Sequence, residues 1–297
     1  MIRFRAFLFP AAVLFTLALP AACRTTAPAA ETGQERLTAE LSRIESRYGA
    51  RIGLFFLDTE TGETAAYRAD ERFAFCSTFK AFAAGFFLLE ADESGMNERV
   101  FFTEDDILSW APVCRTKTET GMTAAEICEA ALRFSDNTAA NLLFDLLGGP
   151  EELTRRLAAL GDRVTLSVRR EPNLNEFLPG RTDDTTTPEQ AARTLYALCR
   201  ELEAAGGGKL ARFLDWMSGN DTGKTLIRAG APPEWQTADK SGSGSYGTRN
   251  DIAVLRRPGR KPLYAAVFTR KEEAAALPDD RAVSEAAAAV LRVFPAE

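Results

Sequence analysis

Strand-like runs are confined to the two ends of this chain, and about 150 residues of helical pattern lie between them. Arg51 to Asp58 and Glu63 to Asp70 read as strands joined by the turn Thr59-Glu60-Thr61-Gly62. Gln236 to Ser241, Asn250 to Arg257 and Pro262 to Arg270 read as three more, with Pro258-Gly259 separating the last two. Strands need partners, so the two ends must meet. The spacing therefore predicts an α+β fold: a five-stranded antiparallel sheet flanked by terminal helices, with an all-helical lobe inserted. The opening helix runs from Gln34 to Tyr48 and carries Leu37, Leu41 and Ile44 on one face. The closing helix starts at the N-cap Asp279 and carries Val283, Ala286, Val290 and Leu291. Within the insert, Phe79 to Ala91 is apolar nearly all round, the mark of a helix buried on every side. Thr123 to Leu132, Thr138 to Leu147, Pro150 to Gly161 and Thr187 to Ala205 are further helices. The expected division is an α/β lobe from residues 34–75 and 222–297 and an all-α lobe from 76–221, with the active site between them.

The first residues read as an address. Arg3 and Arg5 precede an apolar run from Ala6 to Leu19, and the small residues Ala21 and Ala22 lead into Cys23. That is the layout of a bacterial secretory signal over residues 1–22, too short to span a bilayer, and it implies an exported, periplasmic protein. Residues 23–33 are rich in Thr, Ala and Pro and read as a tether. Cys23 stands where the acylated cysteine of a lipoprotein would stand, giving a membrane tether; cleavage within Ala27-Pro28-Ala29 is the alternative.

The chain contains no histidine, which excludes Ser-His-Asp and Cys-His catalysis and any histidine-containing zinc site. With 36 Lys+Arg against 42 Asp+Glu and a net charge of −6, nothing suggests a nucleic-acid surface. A nucleophile in this chain must find its base among lysines and carboxylates.

Three short motifs offer that chemistry. Ser77-Thr78-Phe79-Lys80 falls where an extended segment meets the buried helix, so Ser77 Oγ and Lys80 Nζ share a helix face three residues apart. A lysine inside an otherwise apolar helix is ill placed for the surface. Ser135-Asp136-Asn137 alone is a helix cap, and Asp239-Lys240-Ser241-Gly242 alone is a strand entering a glycine-rich turn. Together, in this order, they form a strong signal.

With these three motifs the sequence resembles the serine β-lactamases and penicillin-binding proteins. Glu171-Pro172-Asn173-Leu174-Asn175 narrows the resemblance to class A β-lactamases, and Arg169, Asp184-Thr185-Thr186-Thr187-Pro188 and Trp216-Met217-Ser218-Gly219-Asn220 agree with it. The resemblance implies a β-lactam substrate, hydrolysed through an acyl-enzyme on Ser77, with no cofactor or metal and a monomeric protein. Lys80 and Glu171 are both candidates for the acylation base, and Glu171 for deacylation through a water positioned by Asn175. Ser135 would pass a proton to the leaving nitrogen beside Lys240. Backbone N–H groups of Ser77 and Ser243 would form the oxyanion hole. Ser241, Ser243 and Arg249 would hold the substrate carboxylate, Asn137 the side-chain amide, and Trp110 the pocket rim. Arg169 and Asp184 would close the Ω loop as a structural pair, and the Glu171–Pro172 bond would be cis.

Among the cysteines, Cys76 and Cys199 are expected as buried free thiols, with a Cys114–Cys128 bridge as the candidate disulfide. Other jobs on the same fold are a D,D-peptidase or transpeptidase and an acylated β-lactam sensor; Glu171 speaks against both. A silent envelope lipoprotein is opposed by the intact set Ser77, Lys80, Ser135, Lys240 and Glu171.

Overall fold

A computed structural model of the chain describes residues 33–292. The predicted signal, Cys23 and the tether as far as residue 32 lie outside the described residues. The chain enters through α1 (Gly33–Tyr48), β1 (Arg51–Asp58) and β2 (Thr64–Tyr67). A short β3 (Phe73–Ala74) and a 3-10 turn at Cys76–Thr78 lead into α2 (Phe79–Glu90). There follow α3 (Glu93–Asn97), β4 (Arg99–Val100), β5 (Met122–Thr123), α4 (Ala124–Arg133), α5 (Asn137–Leu147) and α6 (Pro150–Ala159). A long loop reaches β6 (Thr185–Thr186), α7 (Pro188–Ala204), α8 (Lys209–Ser218) and α9 (Ile227–Gly230). The chain ends its regular structure with β7 (Gln236–Gly244), β8 (Thr248–Arg256), β9 (Leu263–Arg270) and α10 (Asp280–Leu291).

The main sheet has the antiparallel order β2-β1-β9-β8-β7, so the two ends of the chain share one sheet as the sequence pattern requires. Its central strands are buried on both faces, and the two-residue period of a strand sorts their side chains between two cores. Ile52, Leu54 and Phe56 point into a core shared with Leu41 of α1 and Val283 and Val290 of α10. Phe55 and Leu57, one residue out of phase, join the larger core with the inserted helices.

Helix α2 lies at the centre of that larger core, packed by α4, α5, α7 and α8. Its apolar sequence needs such a site, since no face is left for water. Gly85 permits the close approach of α7, for a Cβ there would stand 2.4 Å from Leu198 Cδ2. The neighbouring helices start at side-chain caps: Thr123 on Glu126 N, Asp136 on Ala139 N and Thr187 on Gln190 N.

Some elements differ from expectation. The two-residue pairs β3/β6 and β4/β5, and helices α3, α8 and α9, have no counterpart in the sequence reading. The candidate Cys114–Cys128 bridge is not formed. Cys76, Cys114, Cys128 and Cys199 are all free and buried, and Cys114 Sγ instead faces Met122 Sδ at 3.7 Å. Burial pushes all four thiols up, which keeps them protonated and apolar in character. Among the described residues, no helix is long and apolar enough to cross a membrane.

Candidate active site

Ser77 occupies the 3-10 turn that feeds α2, so its hydroxyl and the Lys80 side chain leave the same end of the central helix. Cys76 before it has φ +49, a left-handed conformation that costs a residue with a Cβ roughly 1–2 kcal/mol. The turn is held from both sides: Asn250 Nδ2 donates to Ala74 O at 2.7 Å, and β7 presses against it through Gly242. A Cβ on Gly242 would lie 2.9 Å from Phe75 O and 3.3 Å from Ser77 N, so glycine is what lets the strand reach the Ser77 backbone.

Lys80 and Ser77 meet on one carboxylate oxygen. Lys80 Nζ lies 3.0 Å from Glu171 Oε1, and Ser77 Oγ donates to the same oxygen at 3.3 Å. Lys80 is fully buried and also donates to Asn137 Oδ1 at 2.7 Å and Ser135 O at 2.9 Å. Burial lowers its affinity for a proton, and the Glu171 carboxylate opposes that by favouring the ammonium. The sequence places Ser77 and Lys80 together; the structure adds that Glu171 is their shared partner.

Ser135 turns into this cluster because its φ is +55 and the buried Asp136 anchors the turn. Asp136 caps α5 with one oxygen and accepts from Val113 N and Cys114 N with the other. Ser135 Oγ then lies 3.1 Å from Lys240 Nζ and 3.4 Å from Lys80 Nζ. Lys240, also fully buried, is pushed well down by burial, with the Lys80 charge acting in the same direction. A hydroxyl between two lysine side chains that hold their protons less tightly than usual is well placed to lose and regain a proton.

Glu171 stands on the loop between α6 and β6, and the peptide that follows it is cis. Asn175 Nδ2 donates to Glu171 Oε2. Asn141 fixes the backbone, accepting from Glu171 N at 3.1 Å and donating to Glu171 O at 3.0 Å. At the loop's base, Arg169 Nε contacts Asp184 Oδ2 at 2.5 Å, while Asp184 Oδ1 accepts from Val168 N and Arg169 N. Asp184 has no exposed surface and Arg169 is partly exposed, so this pair clamps the loop from its buried end.

These groups open on a cavity of about 420 Å3 lined by Ser77, Trp110, Ser135, Asn137, Asn175, Ser241, Ser243 and Arg249. Trp110 stands on the rim, 54% exposed, with its indole N–H donated to Phe134 O. The cavity also takes in Thr222 and Gly242. Thr222 was not among the sequence candidates, and neither was Asn141, although Asn141 lies one helical turn beyond Asn137 on the same face. Arg249 carries a partner the sequence did not disclose: its Nε lies 2.6 Å from Asp280 Oδ1, and its NH2 donates to Thr222 O.

Behind the cavity wall Asp251 is fully buried, accepts only from Ile227 N with one oxygen, and leaves Oδ1 without a partner. Burial, aided by the nearby Asp239 carboxylate, pushes it well above the usual range, against the weaker pull of Arg249 and Lys240. Native Asp251 therefore keeps a proton that the unfolded chain has released. Its contribution is most favourable below the unfolded value and is lost as pH rises towards the folded one. Asp251→Asn, neutral at every pH, is expected to raise Tm by roughly 2–4 °C at pH 8, the response to about 1 kcal/mol. The gain should fade below about pH 4, the unfolded value of an aspartate. Thermal melts of both proteins across that range make the comparison; an equal offset at both ends would show that Asp251 is not the titrating group.

A serine hydroxyl beside buried lysines and a held carboxylate, in an open cleft, provides the chemistry of an acyl-transfer hydrolase. Residues 36–294 match the model of the β-lactamase enzyme family. A β-lactamase of Amycolatopsis lactamdurans is 45% identical, covering 88% of this chain and 86% of its own length. One from Bacillus licheniformis is 39% identical, covering 96% and 94%. The crystal structure of a class A β-lactamase from Clostridium kluyveri superposes with a TM-score of 0.82 at 44% identity, covering 87% of this chain and 98% of that one. The chain belongs to the β-lactamase family, in class A, and its activity is hydrolysis of the β-lactam amide.

Proposed function

We propose that Ser77 attacks the lactam carbonyl of penicillins and cephalosporins and that Glu171 drives hydrolysis of the resulting ester. The observation that carries this reading is the shared oxygen: Glu171 Oε1 receives Ser77 Oγ at 3.3 Å and Lys80 Nζ at 3.0 Å. In acylation the Ser77 proton leaves through Glu171 or Lys80 as Oγ bonds to the carbonyl carbon. Backbone N–H groups of Ser77 and Ser243 take the oxyanion, a role supported by the close approach of β7 to the Ser77 turn. The C–N bond then breaks, and the ring nitrogen takes its proton from Ser135 Oγ, which recovers one from Lys80, directly or after Glu171 has passed it on, so that the proton released by Ser77 ends on the nitrogen. In deacylation Glu171, with Asn175 beside it, removes a proton from water as it adds to the ester, and Ser77 regains its hydrogen.

Substrate placement follows from the cavity wall. Ser241, Ser243 and Arg249 offer hydroxyls and a guanidinium to the substrate carboxylate, Asn137 its amide to the acyl side chain, and Trp110 a rim to lean on. Ser77→Ala removes one small polar group and opens no core. It is expected to abolish turnover of benzylpenicillin while Tm stays within about 2 °C of the parent. Retained turnover in a spectrophotometric assay would remove Ser77 from the role of nucleophile.

Export to the periplasm fits residues 1–22, and Cys23 would then carry the lipid. Intact mass of the mature protein tests this: a diacylglyceryl cysteine at position 23 is expected, and a free N-terminus beyond it would exclude the anchor.

A further inference from the structure

A second cavity, of about 610 Å3, lies between α8, α9 and the start of β7. Leu214, Pro232, Pro233 and Trp235 give it an apolar, partly aromatic wall. Two guanidiniums, Arg228 and Arg256, line the same space. One carboxylate, Asp215, also lines it, but Arg133 holds that group at 2.6 Å. Under the wall, Thr237 Oγ1 is buried and without a hydrogen-bond partner. Apolar walls with a few convergent polar groups are what a small-molecule site requires. With Arg228 paired to Asp239 and Asp215 to Arg133, Arg256 leaves the cavity with a net positive charge, which favours a ligand that is itself an anion.

The cavity is joined to the substrate pocket by hydrogen bonds. Arg228 donates to Asp239 Oδ1 at 2.6 Å and to Ser218 O at 3.0 Å. Asp239 Oδ2 accepts from Asn220 Nδ2 at 2.5 Å, and Asn220 Oδ1 accepts from Thr222 Oγ1 at 2.8 Å. Thr222 Oγ1 and Ser241 Oγ share a hydrogen bond at 2.6 Å, and both residues line the substrate pocket. Asp239 precedes Lys240, whose ammonium meets Ser135 Oγ. Every link in the chain is a side chain with a defined partner, and Arg228 is the one that faces the second cavity.

We propose that this cavity is an inhibitory site for small amphiphilic anions, aromatic carboxylates or sulfonates, acting through the Arg228–Asp239–Asn220–Thr222 chain on Ser241 and Lys240. An anion seated there shares the Arg228 guanidinium with Asp239, and a buried carboxylate that loses part of its counter-ion must rearrange its other partners. The partners available are Asn220 and, through it, the hydroxyls that grip substrate. The ligand thus changes the shape and field of the pocket without entering it.

Anilinonaphthalene sulfonate is a suitable probe, since Trp235 in the wall can transfer excitation to it. The full-length enzyme is expected to bind one molecule per chain, and kcat/KM for a chromogenic cephalosporin should fall roughly fivefold or more at saturation. The inhibition should be non-competitive. Ala211→Trp, which fills the mouth, and Arg256→Glu, which reverses a charge, should each keep the basal rate and abolish both binding and inhibition. Neither residue touches the substrate pocket. The proposal is overturned by absence of binding up to about 1 mM, by binding that both variants leave unchanged, by purely competitive inhibition, or by saturation of the cavity with no change in rate. The binding readout is independent of whether Ser77 is the acylated residue, so failure of that assignment and failure of this one are distinguishable.

Discussion

Glu171→Gln is expected to convert this enzyme into one that takes up a penicillin and does not let it go. The amide keeps the size of the side chain and its hydrogen bond with Asn175, but it cannot accept the proton of an attacking water. A positioned general base contributes roughly 10²–10⁴-fold, and the turnover of benzylpenicillin should drop by that order. Mass spectrometry should show the protein heavier by one penicillin, with peptide mapping placing the adduct on Ser77. The outcome also addresses the acylation base. Rapid adduct formation in the variant assigns the first proton transfer to Lys80, while slow formation gives it to Glu171. Fast turnover with no adduct would remove Glu171 from deacylation altogether.

The second large effect is expected from Asp184→Ala. Asp184 is wholly buried, accepts two backbone N–H groups, and holds the Arg169 guanidinium at the base of the loop that carries Glu171. Its loss leaves two backbone N–H groups without their acceptor and the partly exposed Arg169 without its main partner, a cost on the order of 3 kcal/mol. In a chain of this size that corresponds to a fall in Tm on the order of 10 °C. The kinetic consequence should be separable from the thermal one. At a temperature where the variant is fully folded, kcat should fall far more than KM rises, since a displaced base slows hydrolysis of the ester while the substrate pocket across the cleft is intact. Asp184→Asn, which keeps the acceptor and loses the charge, should recover part of both. Equal changes in kcat and KM would mean that the clamp shapes the pocket and not the base.

Most of the fold was legible because its elements are long and their patterns pure. The strands of the main sheet alternate between two cores, and α2 is apolar all round because it is buried all round. What escaped was short or depended on distant partners. Strands β3 and β6 are two residues each and exist only because the loop exit at Thr185 meets Phe73 and Ala74 across the chain. Likewise, Ser77 and Lys80 were placed together by their spacing and Glu171 was named through the family resemblance, whereas the groups that orient them were not. Asn141 acts on the backbone of Glu171. Asp280 reaches Arg249 from 31 residues away, and nothing local to either residue marks the pair. Asp239 was read as part of a strand motif and Asn220 as part of a stretch that agrees with the family, and only the fold joins the two to Arg228. The chemistry was written in motifs, and its support was written in the topology.

That topology also sets when the protein can exist. β1 lies between β2 and β9, so the strand completed at Asp58 waits for residues 263–270 before its second edge is covered. β1, α1 and α10 share one core, which therefore cannot close on the first half of the chain alone. Loop closure over such a separation is slow, so the core under α1 and α10 is expected to close after the helical one, most of whose residues lie nearer one another in the chain.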